Sequence, residues 1–99
     1  MADKELVVFA EVYAKPGREE NLRQALMALV APTRAEAGCL QYDLHADNDD
    51  AGHYFFYERW ESMAALELHT ATAHFKAFEA RTEELLREPL RVIFAARIA

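Results

Sequence analysis

Hydrophobic positions in this chain follow two periods, and each change of period marks the edge of a predicted element. Over residues 6–13, 39–45, 54–60 and 90–98, apolar residues, many of them β-branched or aromatic, alternate or run together, which predicts four strands. Between the first two predicted strands, the apolar residues recur at spacings of three and four residues. That spacing predicts an amphipathic helix with an apolar stripe of Leu22, Ala25, Leu26, Leu29, Val30 and Thr33.

Local signals predict where the helices begin and end. Pro16-Gly17 turns the chain before the first helix, Pro32 should kink that helix or restart its last turns, and Gly38 should end it. Ser62 and Thr72 are residue types that cap helix N-termini, so they predict two shorter helices. The second of these carries an apolar face of Phe75, Phe78, Thr82, Leu85 and Leu86.

The element order β-α-β-β-α-β predicts the fold. With a polar hairpin loop over residues 47–52, it is typical of a single α+β ferredoxin-like domain over residues 1–99, with a four-stranded antiparallel sheet covered by helices on one face. The strands are apolar on both faces, as Phe9 beside Val8 and Ile93 beside Val92 illustrate. Because a chain this short has no spare element for the second face, we expect a homodimer whose sheets pack face to face.

Composition restricts the class of partner. Hydrophobic residues make up 53% of the chain and charged residues 28%, which is typical of a globular domain. A net charge of −6 argues against nucleic acid and anionic membranes. The first residues contain no apolar signal segment, and the single Cys39 fits a reducing compartment. We therefore expect a soluble cytoplasmic protein with a small-molecule partner.

Candidate chemistry is concentrated between Tyr54 and Phe78. Strand alternation places Glu58 and Trp60 on one face with Tyr54 and Phe56, where they either line a ligand pocket or fill a core. A buried Glu58 needs a partner. The sequence offers three candidates, which are Arg34, His69 and Arg91.

His69 and His74 are the titratable groups of the helical region. On one continuous helix, residues five apart are separated by about 140° and do not share a face. A helix break near Thr70-Ala71-Thr72 leaves their mutual geometry open. The spacing does not match the HExxH zinc motif, and the calcium-like loop that starts at Asp47 is flanked by predicted strands. No metal or other cofactor is predicted.

Several short motifs together resemble the antibiotic biosynthesis monooxygenase domain, and most closely its small quinol-monooxygenase-like branch. The resemblance extends over essentially the whole chain. The motifs are Val12-Tyr13-Ala14-Lys15-Pro16-Gly17, Gly38-Cys39-Leu40-Gln41-Tyr42, Tyr57-Glu58-Arg59-Trp60-Glu61-Ser62, Ala65, Leu66, His69 and His74-Phe75.

The resemblance implies a dimeric α+β barrel that oxidises a phenol or quinol with molecular oxygen, without flavin, haem or metal. It implies catalytic roles for three residues: His69 as base or hydrogen-bonding partner of the substrate hydroxyl, and Trp60 and Tyr42 as groups that orient the ring. Contacts to the substrate or its neighbouring groups are expected from Glu58, His74 and Phe56.

Other branches of the superfamily fit the sequence less well. The position at which the haem-degrading branch carries an asparagine is Ala10 here, and the helical tryptophan position is His69, which disfavours haem degradation. An isomerase of a small phosphorylated signalling sugar would need cations such as Arg34 or Arg91. A non-catalytic ligand-binding module for stress responses is the third alternative.

Overall fold

The computed structural model describes residues 5–99 and contains one four-stranded antiparallel sheet. In chain order the elements are β1 (Leu6–Tyr13), α1 (Glu19–Arg34), β2 (Cys39–Ala46), β3 (His53–Trp60), α2 (Met63–Thr70), α3 (Ala73–Glu79), α4 (Thr82–Leu85) and β4 (Arg91–Ala95). The sheet order is β2-β3-β1-β4, so β3 and β1 are central. The ferredoxin-like α+β fold predicted from the element order is confirmed.

Most predicted boundaries agree with the structure, and three differ. α1 runs through Pro32 as one helix and ends at Arg34, before the predicted end at Gly38. The helix predicted after Thr72 is interrupted at Ala80 and Arg81, which divides it into α3 and α4. α4 ends at Leu85, and the next residue, Leu86, forms a bridge with Ala14. β4 is shorter than predicted and ends at Ala95, where its pairing with β1 ends.

The core lies between the sheet and the helices. Trp60, Leu22, Leu26 and Leu85 have at most 1% of their surface exposed. They pack with the alternating inward residues of the two central strands, including Val8, Ala10, Val12 and Phe56. The residues that strand alternation places together on β3 lie on the helix-covered face.

The opposite sheet face is uncovered in the single chain and is partly apolar. Phe9 and its partner across the ladder, Ile93, keep 43% and 42% of their surface exposed, and Tyr57 packs against Phe9 with a centroid distance of 5.4 Å. Polar pairs border this patch, such as Arg59 with Glu5. Among residues 5–99, no helix combines the length and the apolar character that crossing a bilayer requires.

Candidate functional site

Strand β3 supplies one wall of the site. Its inward residues Tyr54, Phe56, Glu58 and Trp60 are at most 7% exposed, while the residues between them point to the other face. The register places Glu58 between Tyr42 of β2 and Val8 of β1. A carboxylate therefore lies in the middle of the sheet, beneath the helices.

The partner of Glu58 is Trp60, two residues along the same strand face. Trp60 Nε1 donates a hydrogen bond of 2.9 Å to Glu58 Oε1. This finding differs from the sequence expectation. Arg34 instead binds Asp43 and the Tyr42 carbonyl, and His69 binds another carboxylate. Burial raises the pKa of Glu58 to about 7, against a smaller opposing effect of the Trp60 hydrogen bond. Glu58 can thus exchange a proton near neutral pH.

His69 is held by a carboxylate and by aromatic rings. It is 3% exposed, and its Nδ1 lies 2.8 Å from Glu36 Oε2. Since a carboxylate oxygen accepts only, Nδ1 carries the proton of this contact and Nε2 is left as an acceptor. The ring packs at centroid distances of 4.9 Å from Trp60, 5.1 Å from Phe75 and 5.8 Å from Tyr42. The hydrogen bond to Glu36 and the three packed rings together fix the orientation of the His69 imidazole.

His74 reaches the same carboxylate oxygen because the helix breaks between the two histidines. The Thr72 hydroxyl donates to the His69 carbonyl and accepts from the Phe75 amide, ending α2 and capping α3. His74 Nε2 then lies 2.6 Å from Glu36 Oε2, and the two imidazole centroids are 6.0 Å apart. The sequence left the relative position of the two histidines open, and the structure shows that both contact the same oxygen of Glu36.

Glu36 is the site residue that sequence reasoning missed. It lies in the turn between α1 and β2, 33 residues from His69 and 38 from His74. Gly38 of the same turn, with φ of +88°, approaches Ala65 of α2. Because Ala65 and His69 are one helical turn apart, this close approach brings Glu36 to His69. The only signal in the sequence is a carboxylate two residues before Gly38, which is not specific.

Gly38→Ala should destabilise the protein and disturb the Glu36 contact. An added Cβ would lie 2.6 Å from the Ala65 Cβ, and the left-handed backbone is unfavourable for alanine. We expect a loss of about 2–4 kcal/mol in unfolding free energy, measured by urea denaturation. Gly17→Ala is the matched control, because Gly17 also has positive φ but nothing lies within 4 Å. An equal loss in both variants would show that the Ala65 contact is unimportant.

His69 and Glu58 line the same apolar cavity. The cavity has a volume of about 130 Å³ and contains Tyr42, Phe56, Glu58 and His69 in its wall. Its other lining residues are mostly aliphatic or aromatic, from β1, α1, α2, α3 and β4. An apolar cavity of about 150 Å³ holds one benzene ring, so this space is suited to a single aromatic ring.

Two of the predicted site residues stand behind the cavity. Trp60 has no exposed surface and does not line the cavity. It contacts two residues that do, because it donates a hydrogen bond to Glu58 and packs against the His69 ring. His74 is also outside the lining and contacts the cavity only through Glu36 and His69. Larger surface grooves of about 520 and 500 Å³ contain neither Glu58 nor His69.

Tyr42 and Cys39 have protonated side chains at neutral pH. Burial raises the pKa of Tyr42 far above its ordinary value, so Tyr42 is a neutral phenol that packs on Phe56 with a centroid distance of 4.5 Å. Burial, followed by the neighbouring Glu36 charge, raises the pKa of the Cys39 thiol. Tyr42 can orient a ligand ring, and Cys39 is not an activated nucleophile.

Comparisons with known proteins place the chain in a family. The family model described as antibiotic biosynthesis monooxygenase matches residues 6–81. The crystal structure of PA3566 from Pseudomonas aeruginosa superposes with a TM-score of 0.94 and 43% identity, covering 100% of this chain and 99% of that one. The structure of Rv0793 from Mycobacterium tuberculosis has a TM-score of 0.91 and 34% identity, covering 97% of each chain.

Curated relatives have several names. "Probable quinol monooxygenase YgiN" of Escherichia coli is 35% identical, covering 89% of this chain and 95% of its own length. More distant, at 26% identity over 84% of this chain and 85% of its own length, is a Klebsiella pneumoniae isomerase of 4-hydroxy-5-phosphonooxypentane-2,3-dione. The chain spans 62% of a longer relative from Synechocystis. From the matched model and these relatives, the chain belongs to the antibiotic biosynthesis monooxygenase family.

Proposed function

We propose that this protein oxidises a monocyclic quinol or phenol with molecular oxygen, using His69 as the base. The observation that carries the proposal is the apolar cavity whose wall contains His69, with Nδ1 held by Glu36 and Nε2 left to accept a proton. The family and the name of the YgiN relative support the same reaction class.

The chemistry requires few protein groups. His69 Nε2 takes the substrate hydroxyl proton, and the resulting phenolate is electron-rich enough to give an electron to oxygen. Recombination of the two radicals forms a peroxide on a ring carbon. His69 returns its proton to the peroxide, the O–O bond breaks, and one oxygen atom stays on the ring as a carbonyl. The other oxygen leaves as water, whose second proton comes from the C–H bond of the same ring carbon, and the electron pair of that bond reduces the peroxide. The apolar wall keeps bulk water from the intermediate.

The remaining site residues bind and orient the substrate in this scheme. Tyr42 and Phe56 present aromatic faces to the ring, and Glu58 offers a carboxyl group that exchanges a proton near neutral pH. Trp60 and Glu36 are positioning residues, because they act on Glu58 and His69 and do not line the cavity. His74 acts through Glu36.

The cavity wall distinguishes this proposal from phosphosugar isomerisation. A phosphorylated substrate calls for cationic groups, yet neither Arg34 nor Arg91 is among the lining residues. Arg34 is paired with Asp43, and Arg91 stands opposite Glu11 on the outer sheet face. The described residues of the cavity are suited to an uncharged ring.

Oxygen uptake with a panel of quinols and phenols in chelator-treated buffer tests the proposal. Monocyclic quinols should be consumed faster than tricyclic anthrone-type phenols, and one labelled atom of ¹⁸O₂ should enter the product. Uptake no faster than uncatalysed autoxidation would contradict the proposal. Conversion of a phosphosugar without oxygen would favour the isomerase, and ligand binding without either reaction would favour a binding module.

We also propose that a second copy of the chain covers the outer sheet face. Phe9 and Ile93 leave an apolar centre bordered by polar pairs, which is the pattern of a subunit interface. The expected mass in light scattering at micromolar concentration is twice the 11.3 kDa of one chain. A monomeric mass would contradict the proposal.

Phe9→Glu should convert the dimer to monomers, because it places a charge at the centre of the patch. Leu68→Glu is the matched control, since Leu68 is 70% exposed on α2, away from the sheet face. We expect the control to keep the dimeric mass. Identical masses for the two variants would show that the outer face is not the interface.

A further inference from the structure

Three potential metal-ligating atoms converge beside the cavity. One carboxylate oxygen of Glu36 and one ring nitrogen each of His69 and His74 lie within 4.8 Å of one another. Glu36 Oε2 is 2.8 Å from His69 Nδ1 and 2.6 Å from His74 Nε2. They come from three separate elements, so no spacing motif along the chain could reveal the set.

Two imidazoles and one carboxylate form a donor set that binds divalent first-row transition ions such as Zn²⁺. Bonds of about 2.1 Å to such an ion at tetrahedral or octahedral angles separate the ligand atoms by about 3.0–3.4 Å. The two contacts with Glu36 therefore need to lengthen by about 0.2–0.8 Å, and the two nitrogens, which lie within 4.8 Å of each other, need to reach the same range of separation. His69 is almost fully buried, whereas the His74 side chain is 23% exposed, so an ion would reach the three atoms from the His74 side.

We propose that Glu36, His69 and His74 form a divalent transition-metal site whose occupation inhibits the oxidation described above. The inhibitory part rests on the proposed function. When Nδ1 of His69 binds the ion, the single proton of the neutral ring resides on Nε2. Nε2 then donates and cannot take the substrate proton. Metal binding and base catalysis are therefore mutually exclusive states of one side chain.

Calorimetric titration of the whole protein with Zn²⁺ tests the site directly. We expect one ion per chain, and affinity at least about tenfold weaker in Glu36→Gln and in His74→Gln. The matched control is His53→Gln, because His53 belongs to a separate cluster with Asp47 and Asp50. The control should bind like wild type, and Co²⁺ should produce a visible absorption band that His74→Gln reduces. No Zn²⁺ binding, or binding lost only in His53→Gln, would overturn the site.

Oxygen uptake separates this inference from the proposed function. With an active wild type, stoichiometric Zn²⁺ should inhibit turnover and a chelator should restore it. Activity that persists at saturating Zn²⁺ would overturn the inhibitory role while leaving His69 as the base. Zn²⁺ binding that depends on Glu36 and His74, in a protein without oxidase activity, would support the site and contradict the proposed function.

Discussion

His69→Gln should lower the turnover of an accepted quinol by about 10²- to 10⁴-fold, the usual contribution of a general base. Glutamine is similar in size and can still donate to Glu36, but it has no group that takes up a proton at neutral pH. The measurement is the initial rate of oxygen uptake at saturating substrate. Circular dichroism and thermal unfolding would establish that the variant is folded.

His45→Gln is the matched control for this loss. His45 is exposed on the outer sheet face, where it stacks on Phe55 with a centroid distance of 5.1 Å. Its removal should change the rate less than twofold, because His45 does not line the cavity. A folded His69→Gln protein with the wild-type rate would show that another group removes the substrate proton.

Glu58→Gln should remove a pH dependence of stability. Burial raises the pKa of Glu58 from the ordinary 4.5 to about 7 in the folded protein. Between these values the folded state keeps a proton that the unfolded chain releases, so stability falls as pH rises, and the loss is complete above pH 7. At about 1.4 kcal/mol per pH unit, this burial costs the wild type about 3 kcal/mol at pH 8.

Urea unfolding at pH 5 and pH 8 measures the effect. The unfolding free energy of Glu58→Gln, relative to wild type, should increase by about 2.5 kcal/mol between these pH values, because the unfolded chain is already largely ionised at pH 5. Trp60→Phe provides a second test. It removes the indole donor that favours the carboxylate, so the fall in stability should extend to higher pH than in wild type. Parallel pH profiles for wild type and Glu58→Gln would contradict the raised pKa.

Much of the fold could be predicted because the signals are local. Alternation along β3 correctly placed Glu58 and Trp60 on one sheet face with Tyr54 and Phe56, and the caps at Ser62 and Thr72 were correctly identified. Pro32 did not divide α1, which continues to Arg34. The helix after Thr72 was wrongly predicted to be continuous, because it breaks at Ala80 and Arg81. It was also extended too far, since the bridge from Leu86 to Ala14 is a long-range contact without a local signal.

The candidate site was predicted in part, for the same reason. Strand alternation placed Phe56 and Glu58 on one face, and both line the cavity together with Tyr42 and His69, whose roles the family resemblance implied. The partner of Glu58 proved to be Trp60 because a side chain two residues along a strand face can reach back to its neighbour. In the packed structure, Trp60 and His74 do not line the cavity, which strand and helix periodicity could not reveal.

The sequence alone determined the strand faces, the helix starts and the apolar character of the site, because these depend on periodicity and neighbouring residues. Tertiary structure alone decided that Glu36 meets both histidines, since 33 and 38 residues separate them and only the close approach of Gly38 to Ala65 joins their elements. It also decided the volume of the cavity, which depends on how the helices pack over the sheet.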